Sequence, residues 1–245
     1  MRLNKHISDS GACSRREADG LIAEGRVTVN GARARIGAEV GEGDEVRIDG
    51  QALRARTAAK GKRRHVYIAL NKPVGVECTT DPEVKDNIVE FVDHPERVFP
   101  IGRLDKDSDG LILLTSDGSI VNRLLREENS HEKEDWVTVD RPVTPDFLGK
   151  MAKGVHLPRL RATTKPCRTR RLGKFSFAIT LTQGLNRQIR RMCLELGYRV
   201  KALTRVRFVT VRLGHLKPGR WRNLTPAELA ALLPPAGGPR PARPR

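Results

Sequence analysis

Three carboxylates fall within five positions, at Asp105, Asp107 and Asp109, in the stretch Pro100-Ile-Gly-Arg-Leu-Asp-Lys-Asp-Ser-Asp-Gly-Leu-Ile-Leu-Leu-Thr115. Carboxylates at that density point to a metal or to nucleophilic or acid–base chemistry. Alternate aspartates closing on Gly110 match the first half of a calcium loop, where positions one, three and five supply oxygens and a glycine at six makes the turn. The second half does not follow. Ser116 stands where a bidentate glutamate is required, and Leu111 to Thr115 reads as a buried strand instead of a helix. A polar turn ending in an Asp-Gly step accounts for Asp107 to Gly110. Asp105, flanked by Arg103 and Lys106, is left over.

A second cluster lies in Gln183-Gly-Leu-Asn-Arg-Gln-Ile-Arg-Arg-Met-Cys-Leu-Glu-Leu-Gly197. Asn186 suits an N-cap, Ile189, Met192, Cys193 and Leu196 form one apolar face, and Gly197 is a natural stop, so a helix is expected. Arg187, Arg190 and Arg191 occupy its first turns, where the helix dipole disfavours cations. That helix start needs an anion, either a substrate phosphate or a protein carboxylate. A guanidinium beside a carboxylate favours the charged form, so Asp105 and this helix hold the parts of an ionised nucleophile. Residue types alone leave enzyme and binder both open.

The elements that must position these residues divide into two domains. Ser14-Arg-Arg-Glu17 is a capping box, followed by Ala18, Leu21 and Ile22 on one helical face. Arg15 and Arg16 in its first turn, together with free helix N–H groups, make an anion site suited to a backbone phosphate. Val27-Thr-Val29 runs into the hairpin signal Asn30-Gly31, and Val46-Arg-Ile48 into Asp49-Gly50. Residues 1–53 therefore form a compact α+β module. A basic, aperiodic linker is expected at 54–65, a second domain at 66–230, and a disordered Pro/Arg-rich tail at 231–245. In the second domain, Tyr67-Ile-Ala-Leu70 opens a new ordered region, and Asn71-Lys-Pro-Val-Gly75 turns the chain. Trp136 to Val139, Phe175 to Leu181 and Lys201 to Val211 read as further strands, and Gly154 to Lys174 as an irregular basic run.

A net charge of +17, from 46 Lys and Arg against 29 Asp and Glu, implies an anionic partner. With no apolar run of eighteen residues and no basic amphipathic segment at the N-terminus, RNA or DNA is favoured over a membrane. Aromatics at 4 % argue against a long stacking platform, so phosphates and shape should dominate recognition. Cys13, Cys78, Cys167 and Cys193 lie far apart and read as reduced thiols of a cytosolic protein.

Arg2-Leu-Asn-Lys-His-Ile-Ser-Asp-Ser-Gly-Ala-Cys-Ser-Arg-Arg-Glu-Ala-Asp19 with Gly25-Arg-Val-Thr-Val-Asn-Gly31 resembles the S4 (αL-like) RNA-binding domain. The resemblance implies that Arg2, Lys5, Arg15 and Arg16 face RNA. Asn71-Lys-Pro-Val-Gly75, Gly102-Arg-Leu-Asp-Lys-Asp-Ser-Asp-Gly110 and Gly184-Leu-Asn-Arg-Gln-Ile-Arg-Arg-Met192, in this order behind that module, resemble the RsuA/RluB/E/F family of rRNA pseudouridine synthases. This implies an α+β catalytic domain around a mixed, mostly antiparallel central sheet flanked by helices. It also implies a reaction without cofactor or metal, in which a flipped uracil is detached from its ribose, rotated and rejoined through carbon. Carried onto this chain, Asp105 is the nucleophile, Arg190 its salt-bridge partner with Arg187 as the rival, and Leu203 the apolar residue against the base. Arg103, Arg187 and Lys133 are expected near the substrate, and Arg191 and Arg205 on the RNA. The partner implied is 23S rRNA, with a tRNA as an open second substrate and the protein as a cytoplasmic monomer. One position departs from the family: its Lys-x-Tyr motif reads Lys133-Glu134-Asp135, so an aspartate replaces the tyrosine that stacks on the base. If Asp135 faces Asp105, the two carboxylates repel. The departure leaves two readings: an enzyme impaired at Asp135, and a catalytically silent RNA-binding or ribosome-assembly factor of the same fold.

Overall fold

A computed structural model of the chain describes residues 1–53, 65–125 and 131–233. Apart from His65 and residues 231–233, the expected linker and tail lie outside the described residues. The chain divides into two compact units, Met1–Arg64 and His65–Arg245.

The first unit holds α1 (Leu3–Asp9), α2 (Arg15–Ala23), β1 (Val27–Val29), β2 (Ala32–Arg33), β3 (Val46–Ile48) and β4 (Gln51–Ala52). The capping box forms as expected: the Ser14 side chain accepts from Glu17 N–H, and the Glu17 carboxylate accepts from Ser14 N–H. The four strands order as β2-β1-β3-β4, all antiparallel. Leu3, Ile7, Ala18, Ile22, Val27 and Val46 fill a core between helices and sheet. Burying each of the larger ones contributes about 1.5–3 kcal/mol, enough to hold so small a module.

The second unit contains β5 (Tyr67–Lys72), α3 (Ile88–Val92), β6 (Phe99–Ile101), β7 (Asp109–Thr115), α4 (Gly118–Leu125), β8 (Lys133–Val139), α5 (Pro145–Lys153), β9 (His156–Leu157), β10 (Ala162–Thr163), β11 (Arg168–Arg171), β12 (Ser176–Leu181), α6 (Gln188–Glu195), β13 (Val200–Phe208), β14 (Val211–Arg212), β15 (Trp221–Asn223) and α7 (Pro226–Leu232). Nine of these strands form one sheet ordered β11-β12-β8-β13-β7-β5-β15, with β14 on β13 and β6 on β7, while β9 and β10 pair separately. The expected mixed, mostly antiparallel sheet is borne out. Its parallel pairing joins β13 to β7 through Thr204↔Asp109 and Arg205↔Gly110. This short seam unites two halves of the sheet.

Side-chain alternation assigns the layers. Val137, Val139, Phe177 and Ile179 face α5 and α6, meeting Phe147, Met151, Ile189 and Met192. On β7, Ile112 and Leu114 pack with Ile88 and Val92 of α3, whereas Leu111 and Leu113 pack with Ile120 and Leu124 of α4 and Leu232 of α7. The basic run from Gly154 to Lys174 is more ordered than its composition suggests. Arg168–Arg171 is the edge strand β11, because alternate arginines project from the sheet while their backbone pairs with β12.

Candidate active site

Asp105 sits in the loop between β6 and β7, and that loop is braced on both flanks. Leu104 N–H donates to Cys78 Sγ at 3.4 Å, and Gly75 N–H donates to Lys106 O at 2.8 Å. The bracing turn is itself closed by Lys72, whose Nζ donates to Pro73 O at 2.9 Å and Val76 O at 2.8 Å. Lys72 is fully buried. Burial pushes its pKa down, against the opposing influence of Cys78 and of the carboxylates of Asp109, Asp105 and Asp107. Burial likewise pushes the Cys78 thiol up.

The start of α6 reaches the same loop. Asn186 is not its N-cap. Arg187 takes that position in the left-handed region, at φ 50° and ψ 36°. Asn186 instead accepts from Arg191, at 2.9 Å through both its backbone and its side-chain oxygen. Arg191, expected on RNA, thus secures the helix entry. Arg187 clasps Asp107 in a bidentate pair, Nη1 to Oδ1 at 3.0 Å and Nη2 to Oδ2 at 2.7 Å. Arg190 Nη2 donates to Asp107 O at 2.7 Å and to Ser108 Oγ at 3.0 Å. Asp105 Oδ2 lies 3.7 Å from Arg187 Nη1 and 3.9 Å from Arg190 Nε, ion-pair distances beyond hydrogen-bond reach. Arg187 pulls the Asp107 carboxyl below the usual carboxylate range, and Asp107 raises Arg187 in return. Reading Asp107 as a mere turn residue is therefore corrected, since it is the main acceptor for the arginines of α6. Among the described residues, buried Arg190 Nε and Asp109 Oδ1 have no hydrogen-bond partner. Such orphans demand an explanation in native structures and concentrate where function requires them.

Beneath this loop, four strands contribute one row on a common face. Register pairs Asp135 with Arg205, Arg205 with Gly110, and Gly110 with Lys72. Gly110 is required here. It has φ 99°, and a Cβ would lie 2.3 Å from Arg205 O. Asp135 is wholly buried and receives Arg205 Nε on Oδ1 at 3.1 Å, with Nη2 3.5 Å from Oδ2. Burial pushes the Asp135 carboxyl up, with the Arg205 guanidinium opposing. Asp135 is thus engaged by Arg205; its pairing with β12 is regular, whereas on β13 a bulge between Arg205 and Arg207 falls directly beside it. Trp136 points to the opposite face and is 48 % exposed.

The remaining expected residues take varied places. Arg103 is exposed beside the loop, and Lys133 Nζ lies near Gly184 at the approach to α6. Leu203 is buried with Val137 and Met192 in the core under α6. Arg205, expected on RNA, has a side chain only 15 % exposed because Asp135 holds it. In the first unit, Arg2 Nη1 donates to Gly37 O at 2.8 Å, Lys5 pairs with Asp9, Arg15 Nη2 donates to Asn4 Oδ1 at 3.4 Å, and Arg16 is exposed. Sequence reasoning missed Lys72 and Asp107. For Lys72 the available signal was its position in phase with buried Ile68 and Leu70 along β5. For Asp107 it was its placement two residues from Asp105, within reach of two arginines spaced i and i+3.

Residues 66–195 match the family model described as RNA pseudouridylate synthase, and residues 1–46 match that of the S4 domain. The chain belongs to the RNA pseudouridine synthase family. It is 54 % identical over 232 residues to the dual-specificity RNA pseudouridine synthase RluF of Escherichia coli K12, covering 95 % of this chain and 78 % of that protein. The ribosomal large subunit pseudouridine synthase B of Bacillus subtilis is 32 % identical over 238 residues, covering 94 % of this chain and 95 % of the relative. A crystal structure of a pseudouridylate synthase superposes with a TM-score of 0.69 at 30 % identity, covering 95 % of this chain and 100 % of that one. This pseudouridine synthase is accordingly an RNA-modifying enzyme. No helix among its described residues is long and apolar enough to cross a membrane.

Proposed function

We propose that this synthase converts a uridine of 23S rRNA to pseudouridine with Asp105 as its nucleophile, acting as a cytoplasmic monomer, with a tRNA as its open second substrate. The observation that carries the assignment is the placement of Asp105. It is a carboxylate 3.7–3.9 Å from two guanidinium groups that are anchored on neighbouring atoms, in a loop braced on both sides. The guanidinium groups bring positive charge beside the carboxylate while leaving its oxygens free to attack. In the reaction the C1′–N1 bond breaks, the uracil turns, and a C1′–C5 bond forms. The C5 hydrogen is lost to water as N1 gains a proton, so the product is an isomer. Reaching the base requires taking it out of the stack at a cost of a few kcal/mol, which binding by the strongly basic chain supplies.

Tritium release from a 23S transcript labelled at uridine C5 tests the reading. The parent is expected to release tritium and Asp105→Ala none. Release by Asp105→Ala at the parent's rate would remove the nucleophile assignment. A parent inactive at every concentration, with activity gained on Asp135→Tyr, would show instead that Asp135 has silenced the enzyme.

A further inference from the structure

We infer that the uncovered face of strands β11, β12, β8 and β13 is an RNA contact separate from the active site, which stacks one unpaired base on Trp136 and holds an adjoining phosphate with Arg170. These strands are antiparallel neighbours, and α5 and α6 pack on one of their faces. On the other face, α4 and α7 pack against the half of the sheet built on β5 and β7. Register pairs Arg170 with Ala178, Ala178 with Trp136, and Trp136 with Thr204, so these four side chains form one row. Alternation along β8 places that row opposite Asp135 and therefore opposite the catalytic loop. Trp136 is 48 % exposed in the middle of the row, and Thr138 and Ala202, two positions along their strands, are exposed as well.

The chemistry of this face selects its occupant. Its carboxylates are already engaged: Arg168 Nη2 reaches both oxygens of Glu132 at 2.9 Å, while Arg207 reaches Glu134 and Glu132 at 3.2 Å each. Arg170 is the surplus cation. It is exposed, and among the described residues it makes no hydrogen bond or ion pair. The face thus offers one flat aromatic ring among small and hydroxyl-bearing side chains, with three guanidinium groups against two carboxylates. A protein partner would find little apolar area to bury there. An unpaired nucleotide fits both features, because every base presents a π-face to a ring and every phosphate an oxygen pair to an arginine. Four-stranded sheets backed by helices stack single-stranded RNA on aromatic side chains in this manner, whereas a duplex hides the faces of its bases. A single tryptophan also suits a chain whose aromatic content is only 4 %, since it stacks one base and leaves the rest of recognition to charge.

The test is filter binding of the full chain to a 23S rRNA transcript across a salt series, joined to photocrosslinking of the same transcript carrying 4-thiouridine. Neither readout needs turnover, so both stand whether or not Asp105 is the nucleophile. Trp136→Ala is expected to weaken binding about five- to a hundredfold, the scale of one base stacked on an aromatic ring. Trp136→Phe keeps a ring and is expected to stay within about threefold of the parent. Arg170→Gln is expected to flatten the slope of log K against log salt by about 0.7, one single-strand phosphate contact. In the parent complex, thiouridine is expected to crosslink to the β8 peptide that contains Trp136, a result that does not depend on any variant folding. A loss below about fivefold in Trp136→Ala, an equal loss in Trp136→Phe, an unchanged salt slope in Arg170→Gln, or crosslinks that omit the β8 peptide each overturns the inference. A parent that sediments as a dimer and is dissociated by Trp136→Ala with RNA binding intact overturns it too, and assigns the face to a second copy of the chain.

Discussion

Replacing the Asp135–Arg205 pair one partner at a time and then together should expose a large coupling energy. Asp135 has no solvent exposure and Arg205 retains 15 %, so Asp135→Val leaves a guanidinium with little access to water. Breaking a buried pair by removing one partner costs about 3–5 kcal/mol, and the residual exposure of Arg205 places this case at the lower end, about 3 kcal/mol. Arg205→Met strands the carboxylate instead. Asp135 is the more deeply buried partner, and burial already favours its neutral form, so protonation limits the loss to a similar size. With both charges gone, valine and methionine fill an apolar strand-to-strand contact beside Ile179, and the double variant should lie within about 1.5 kcal/mol of the parent. The coupling is therefore about 4.5–6 kcal/mol. For a unit of this size, thermal melts should show each single variant about 6–12 °C below the parent and the double variant recovering most of that loss. Urea titrations of the four proteins give the cycle directly. Single-variant losses that simply add, with a coupling under about 0.5 kcal/mol, would refute the claim that the pair acts as one buried unit.

Gly110→Ala places a Cβ 2.3 Å from Arg205 O at a backbone φ of 99°, so strain and overpacking together should cost about 2–4 kcal/mol, read as a lowered melting temperature with loss of tritium release. Glu228, held bidentate by Arg222 at 2.7 Å through both oxygens, has its pKa lowered from 4.5 to about 2. A depressed carboxyl stabilises the fold above its unfolded pKa and loses that contribution as the pH falls through the folded value. The stability deficit of Glu228→Gln should therefore be full at neutral pH and shrink between pH 4.5 and about 2, as urea midpoints across that range would record. Charge reversal at Arg15 and Arg16 should weaken RNA binding and flatten the slope of log K against log salt by about 1.5–2, measured by filter binding. An unchanged slope would take those two residues off the RNA.

Most of the fold was legible because its signals are local. The capping box at Ser14 and Glu17, the alternation of Phe175 to Leu181, and the apolar face at Ile189, Met192 and Cys193 each follow from neighbouring residues alone. The site was legible only in part. Asp105 and the arginines of α6 stand out by type and spacing, but which carboxylate the arginines hold is decided by where a loop and a helix start meet, and no local pattern encodes that. Asn186 looked like a cap because asparagine usually is one, yet its oxygen serves Arg191 and the chain enters the helix one residue later. Lys72 was hidden by the rule that lysines stay at the surface, which two backbone carbonyls accepting from its Nζ override here. Asp135 could be recognised as a departure, but only its strand partner explains how a carboxylate is tolerated there.

The short parallel seam between β7 and β13 governs when this chain becomes an enzyme. Asp105 and Lys72 belong to one half of the sheet, while Arg187, Arg190, Asp135 and Arg205 belong to the other, and positions 109–110 must find positions 204–205 before the two sets meet. The pairs β6–β7, β11–β12 and β13–β14 form from nearby sequence, but closing the seam, like pairing β15 with β5, demands a long loop and carries the entropy of doing so. During synthesis the residues of the first unit emerge well before β13, so a capacity for RNA binding residing there would precede the capacity for modification. Catalytic competence is in this sense a late folding event, reached when β13 inserts beside β7.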